Sequence, residues 1–128
     1  MIKASIIDNF IIVRVYSYER SMSILANFLN DDVGYRDIDS IVSWIEDDKY
    51  QVTILNYSYI RKQKNNKIHI YFLYDGYQLE EHEKREKFET TKEELIDILT
   101  QWESLLNKDK VDIIVIKKEN NRITVKKG

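Results

Sequence analysis

The segment Leu79–Glu89 reads LEEHEKREKFE and comes nearer than any other stretch to a chemical motif. Its HEKRE departs from the zinc-protease pattern H-E-x-x-H at one position, where Glu86 stands in place of the second histidine. In that pattern two histidines share one helix face and bind zinc, and the glutamate beside the first acts as general base. A catalytic zinc needs three convergent protein ligands. The only other histidine is His69, and the segment has no apolar helical face to set it in a core. No metal and no cofactor are expected. His69 and His82 could form an acid–base pair of the kind that cleaves RNA, because histidine titrates near neutrality. Against this, His69 falls in the middle of a predicted central strand, where a hydrogen-bonded structural histidine is the expectation. His82 falls in a charged run, where a solvated one is expected. A small histidine-dependent nuclease stands as the enzymatic alternative.

Other catalytic patterns are missing. Three scattered glycines form neither a phosphate loop, nor a dinucleotide fingerprint, nor a G-x-S-x-G elbow. Without cysteine there is no disulfide framework and no thiolate chemistry. Carboxylates abound, and their abundance singles out none as catalytic. Composition gives 43% hydrophobic and 33% charged residues, too apolar for a disordered chain. A length of 128 residues fits one domain spanning 1–128, with a core that needs no staples. The opening MIKASII is cut short by Asp8-Asn9, too early for a signal peptide, and the apolar run Ile70–Tyr74 is far below the ~20 residues of a membrane helix. The expectation is a soluble, cytoplasmic protein with no membrane partner.

Two surface features carry more weight. Tyr57, Tyr59, Tyr71, Tyr74 and Tyr77 gather around one predicted hairpin and its exit. Tyrosine suits strands, and it also anchors interfaces, where the ring fills a pocket and the hydroxyl finds a partner. Charge is segregated although the formal net is only −2. From Asp31 to Asp48 seven acids face Arg36 alone, and from Asp75 to Glu94 eight acids face four bases. Bases collect at Arg61, Lys62, Lys64 and Lys67 and at the carboxyl-terminal end. Such runs can be solvated surface, or an acidic face for a basic partner, where complementarity speeds association and sets specificity. The basic groups lack the glycine–aromatic motifs of RNA modules, so no nucleic-acid partner is expected. The candidate contacts are Tyr74, Asp75, Tyr77, Glu80, Glu81 and Glu83 from the second group, with Asp31, Asp32, Asp47 and Asp48 from the first.

The elements that must position these residues follow from periodicity. Ile11, Val13 and Val15 alternating with Ile12, Arg14 and Tyr16 predict a strand, with Asp8-Asn9 as a turn before it. Met22, Leu25, Phe28 and Leu29 predict a helix stopped near Gly34, and Ile38, Ile41, Val42 and Ile45 a second. YQVTILNYSYI and KIHIYFLY predict one hairpin with its tip at Asn65-Asn66, since asparagine tolerates left-handed turns. Thr91 and Glu94 form a capping box ahead of a third helix, Lys92–Asn107, whose apolar face runs through Leu95, Ile98, Leu99, Trp102, Leu105 and Leu106. VDIIVIKK and NRITVKK predict a closing hairpin around Asn120-Asn121. The sum is an α+β fold: a single-domain antiparallel sheet with about three helices mainly on one face.

The stretch FETTKEELIDILTQWESLLNKDKVDIIVIKKENNRITV resembles the carboxyl-terminal part of small immunity proteins of bacterial polymorphic-toxin and contact-dependent growth-inhibition systems. The shared features are a strand, a capped helix with an aromatic such as Trp102, and two further strands around a turn, covering about the last third of the chain. The resemblance implies a cytosolic, non-enzymatic inhibitor whose partner is a cognate toxin domain, often a nuclease. A basic, phosphate-holding active site would match an acidic, tyrosine-bearing surface. The alternative is a protein-binding or regulatory module with a different partner.

Overall fold

β-branched residues in alternation cannot bury one face without a partner sheet or helix, and here they find both. The computed structural model describes residues 12–16, 20–34, 38–47, 49, 51–74, 76–106 and 113–128. In chain order the elements are β1 (Ile12–Tyr16), α1 (Ser21–Asn27) running into a π-helical turn (Phe28–Val33), α2 (Ile38–Glu46) and β2 (Val52–Ile54). Then come β3 (Ser58–Lys62), β4 (Lys67–Phe72), the short α3 (Leu79–His82), β5 (Phe88–Thr91), α4 (Lys92–Leu106), β6 (Ile113–Glu119) and β7 (Arg122–Lys127). The α+β class stands. The expected turn at Asp8-Asn9 lies outside the described residues.

The strands make two sheets rather than one. β2-β3-β4-β5 is antiparallel throughout, and β1-β6-β7 is mixed, with β1 parallel to β6. Parallel neighbours need a long crossover, and here most of the chain supplies it, so no local pattern marks the pairing. The predicted first strand of the central hairpin also divides. Leu55 N–H bonds to the Ser58 carbonyl at 2.9 Å, turning the chain at Asn56-Tyr57. Buried Asp32 secures that turn by accepting the Tyr57 N–H at 3.0 Å. Nothing in Asn56-Tyr57 announces it, because the carboxylate that stabilises it comes from 25 residues away.

The asparagine turns are as expected. Asn65 and Asn66 have φ of 62° and 65° at the tip of the β3–β4 hairpin, and Asn120 and Asn121 have φ of 49° and 65°, the left-handed pair that the two-residue β6–β7 loop requires. At α4 the Thr91 hydroxyl accepts the Glu94 N–H at 3.1 Å. The second arm of the box is redirected: the Glu94 carboxylate accepts the Thr90 hydroxyl at 2.7 Å. Thr91 is also the last residue of β5, so the chain enters the helix straight from the sheet.

One apolar cluster joins the layers. Ile60, Ile68, Ile70 and Phe88 from the antiparallel sheet meet Ile114, Ile116, Ile123 and Val125 from the mixed one, with Phe28, Leu29, Ile45, Leu95, Leu99 and Trp102 from the helices. Strand side chains alternate between faces. Hence Tyr59, Arg61, His69, Tyr71 and Glu89 must lie on the reverse face of the antiparallel sheet, away from this core. Among the described residues no helix is long and apolar enough to cross a membrane.

Candidate functional site

The reverse face would leave two tyrosines in water, yet Tyr59 and Tyr71 are only 0% and 2% exposed. Residues 76–87 fold back across them as a strap. Gly76, at φ +79°, turns the chain after β4, and α3 then delivers His82 onto the Tyr59 ring with centroids 5.5 Å apart. Tyr59 in turn packs on Tyr71 at 5.4 Å. His82 Nε2 accepts the Tyr74 N–H at 2.9 Å, so Nδ1 carries the proton and donates to the Gln78 carbonyl at 3.0 Å. The strap is pinned further by Glu83 pairing with Arg61 at 2.9 Å and by Lys87 lying 5.7 Å from the Tyr71 ring.

His82 is therefore 1% exposed, and the expectation of a solvated histidine is overturned. The cause is tertiary: an aromatic sheet face offers the ring a stacking partner, the Tyr74 amide at the exit of β4 satisfies Nε2, and the Gln78 carbonyl of the strap satisfies Nδ1. Glu86, in the position of the missing ligand, is exposed and pairs with Arg20 at 3.6 Å. Among the described residues no three histidine, aspartate or glutamate side chains converge as a metal site.

His69 sits on the same face as expected, in β4, with Nδ1 3.4 Å from both the Tyr71 hydroxyl and the Gln63 amide nitrogen. Its Nε2 lies 3.1 Å from the Glu89 carboxylate, within ion-pair distance but outside hydrogen-bond alignment. The two histidines are linked through a chain of rings, His82 to Tyr59 to Tyr71 to His69. Each serves the fold. Burial, and then the nearby Lys87 ammonium, push the His69 pKa below its ordinary 6.5. The folded chain thus binds this proton less readily than the unfolded chain, and the His69 contribution to stability is full above pH 6.5 and lost as pH falls through the window below it. The urea midpoint should drop across that window and drop less in His69→Gln. A wild-type midpoint that rises on acidification would contradict this.

Around the strap lies the exposed apolar surface. Among the described residues the exposed large hydrophobic side chains are Ile54 (53%), Tyr57 (57%), Tyr74 (37%) and Tyr77 (37%). All four belong to one end of the antiparallel sheet. Ile54 stands opposite Tyr59 on the reverse face, and Tyr57 accepts the Leu73 N–H on its carbonyl at 3.0 Å, next to Tyr74. Tyr74 and Tyr77 pack together at 5.2 Å, with the Arg85 guanidinium 5.1 Å and 4.7 Å from their rings and bonded to the Tyr77 hydroxyl.

The acidic residues expected to rim this surface divide. Glu80 and Glu81 are exposed beside Tyr77, and exposed Asp31 adjoins the residue that holds Tyr57. Both acidic runs thus supply exposed carboxylates next in sequence to residues that hold or flank the tyrosines. Glu83 is half-buried and engaged with Arg61. Asp32 is a correction: at 1% exposure it belongs to the interior, where it caps the turn. Asp47 lies at the opposite end of β3, where its carbonyl and that of Trp44 accept the ammonium of Lys62. Lys62 is likewise 5% exposed, a buried cation at the end of α2 and no part of a basic tip. Asp75 and Asp48 lie outside the described residues. Sequence reasoning missed Ile54 and Arg85. An isoleucine in a β-rich run signals burial, and only the split of β2 from β3 leaves it at an open corner.

In comparisons with known proteins, no family model matches the chain, and no curated protein and no solved structure matches it.

Proposed function

We propose that this chain is a non-catalytic inhibitor that docks on a basic protein domain and neutralises it, as the immunity proteins it resembles do, with a toxin's nuclease domain as the partner. One observation carries the reading. The described exposed large hydrophobic residues, Ile54, Tyr57, Tyr74 and Tyr77, all belong to one end of the antiparallel sheet, with exposed Glu80 and Glu81 just after Tyr77 in the chain and exposed Asp31 beside the aspartate that holds Tyr57. Contiguous exposed apolar surface with a polar rim marks an interaction site, and tyrosine is an efficient anchor there. Arg85, held on two of the rings, stiffens them for that task. The engagement of both histidines in the fold favours binding over acid–base chemistry.

The test is co-purification with the product of the gene directly upstream, followed by association and dissociation rates at increasing salt. Association should slow as salt rises, because screening shortens the field to about 8 Å at physiological ionic strength. Replacing Glu80 and Glu81 together with lysine should slow association, whereas Tyr57→Ala should speed dissociation by more than about 1 kcal/mol. An upstream product that does not bind, or whose activity is unchanged by saturating amounts of this chain, would sink the proposal.

A further inference from the structure

The antiparallel sheet ends in two edge strands, β2 and β5. An open edge offers unpaired N–H and C=O groups to any extended chain, and proteins guard edges with charge, proline or bulges. β5 carries Glu89. β2 reads Val-Thr-Ile, with no charge and no proline. Its ladder to β3 is fixed by the Lys62 N–H on the Gln51 carbonyl at 2.7 Å and the Leu55 N–H on the Ser58 carbonyl at 2.9 Å. With that phase Thr53 directs its backbone groups to β3, and Val52 and Ile54 direct theirs outward. Among the described residues no strand pairs with the outer side of β2. The edge also runs directly into the apolar corner through Ile54 and Tyr57.

Charge differs between the two ends of this edge. At the Ile54 end, Asp32 holds the turn and exposed Asp31 adjoins it in sequence, and exposed Glu80 and Glu81 outnumber the one base held on the tyrosines, Arg85. At the Val52 end, Glu46 and Asp47 are offset by Lys49 and by the buried Lys62. A strand adding antiparallel to β2, as every other strand in this sheet does, brings its own N-terminal end to Ile54. We propose that β2 is the docking edge for an extended segment of a protein partner, added as a fifth antiparallel strand, apolar at alternate positions and basic at its N-terminal end. This rests on the reading that the chain docks a protein, and it supplies the mode: backbone bonds give affinity and the charged end sets direction.

Two synthetic peptides test it, Lys-Lys-Val-Thr-Val-Thr-Val and the reversed sequence Val-Thr-Val-Thr-Val-Lys-Lys, added to the isotope-labelled chain while amide exchange is followed. The first should slow exchange at Val52 and Ile54 and bind about tenfold more tightly than the second. Val52→Pro removes an outward amide while leaving the bonds to β3, and Ile54→Lys places a guarding charge on the edge. Each should weaken the first peptide by about tenfold, and Ile54→Lys keeps the test valid should the proline variant unfold. Equal binding of the two peptides, protection confined to other amides, or no protection overturns the proposal. So does a free chain that sediments as a dimer with those amides already protected, since a second copy would then hold the edge. If Ile54→Lys still takes the first peptide at wild-type strength while Tyr57→Ala loses the upstream gene product, the docking reading stands and the edge proposal falls. If the upstream product never binds, the docking reading falls, and the peptides judge the edge by themselves.

Discussion

Replacing Trp102 with alanine is expected to lower the unfolding free energy by about 3–5 kcal/mol, the range for large buried aromatics. The side chain is 0% exposed in the middle of α4 and packs in the cluster that joins both sheets. Its indole N–H also donates to the Gly34 carbonyl at 3.0 Å. That bond fixes the end of the π-helical turn, where Gly34 takes φ +46° and donates its N–H to the Leu29 carbonyl at 2.8 Å. Truncation therefore opens a cavity and leaves a carbonyl without its donor. Trp102→Phe, which keeps most of the volume and loses only the bond, should cost about 1–2 kcal/mol. Urea titration followed by far-ultraviolet circular dichroism gives both values. A Trp102→Ala loss under about 1 kcal/mol would mean that α4 does not use this residue in the core.

The second large effect is expected at His82, where alanine should cost about 2–3 kcal/mol. It removes a ring stacked on Tyr59 and the acceptor for the Tyr74 N–H, so the strap loses a fully buried side chain. His82→Leu separates the two contributions, because it refills the volume and restores neither hydrogen bond. Hydrogen exchange at the Tyr74 amide should rise in both variants. Exposure of the Tyr59 ring to a quencher should rise only in His82→Ala. If Tyr74 exchanges as slowly in His82→Ala as in the wild type, the histidine is not what holds the strap down. Because Tyr74 and Tyr77 both contact the His82 ring, loosening the strap should also blunt the docking corner, which links this stability effect to the proposed activity.

What the sequence determined by itself is whatever local chemistry dictates. The asparagine pairs turn because a side chain that tolerates left-handed backbone sits at both central positions. α4 starts at Thr91 because that hydroxyl caps it, and its buried face through Leu95, Ile98, Leu99, Trp102 and Leu106 follows from helical spacing alone. Tyrosine clustering and acidic segregation are legible too, and of the residues they single out Tyr74, Tyr77, Glu80 and Glu81 are exposed. Only the tertiary structure decided the rest, because each remaining feature depends on a partner distant in sequence. Asp32 looks like one more surface acid until the Tyr57 amide, 25 residues on, claims it. Lys62 looks like a basic tip until the carbonyls ending α2 take its ammonium. His82 looks solvated, or like half a zinc site, until an aromatic sheet face 23 residues earlier gives it a ring to lie on and the Tyr74 amide and Gln78 carbonyl each give one nitrogen a bond. Burial of a polar group becomes favourable only when its hydrogen bonds are met, and no window of sequence contains both halves of those bonds.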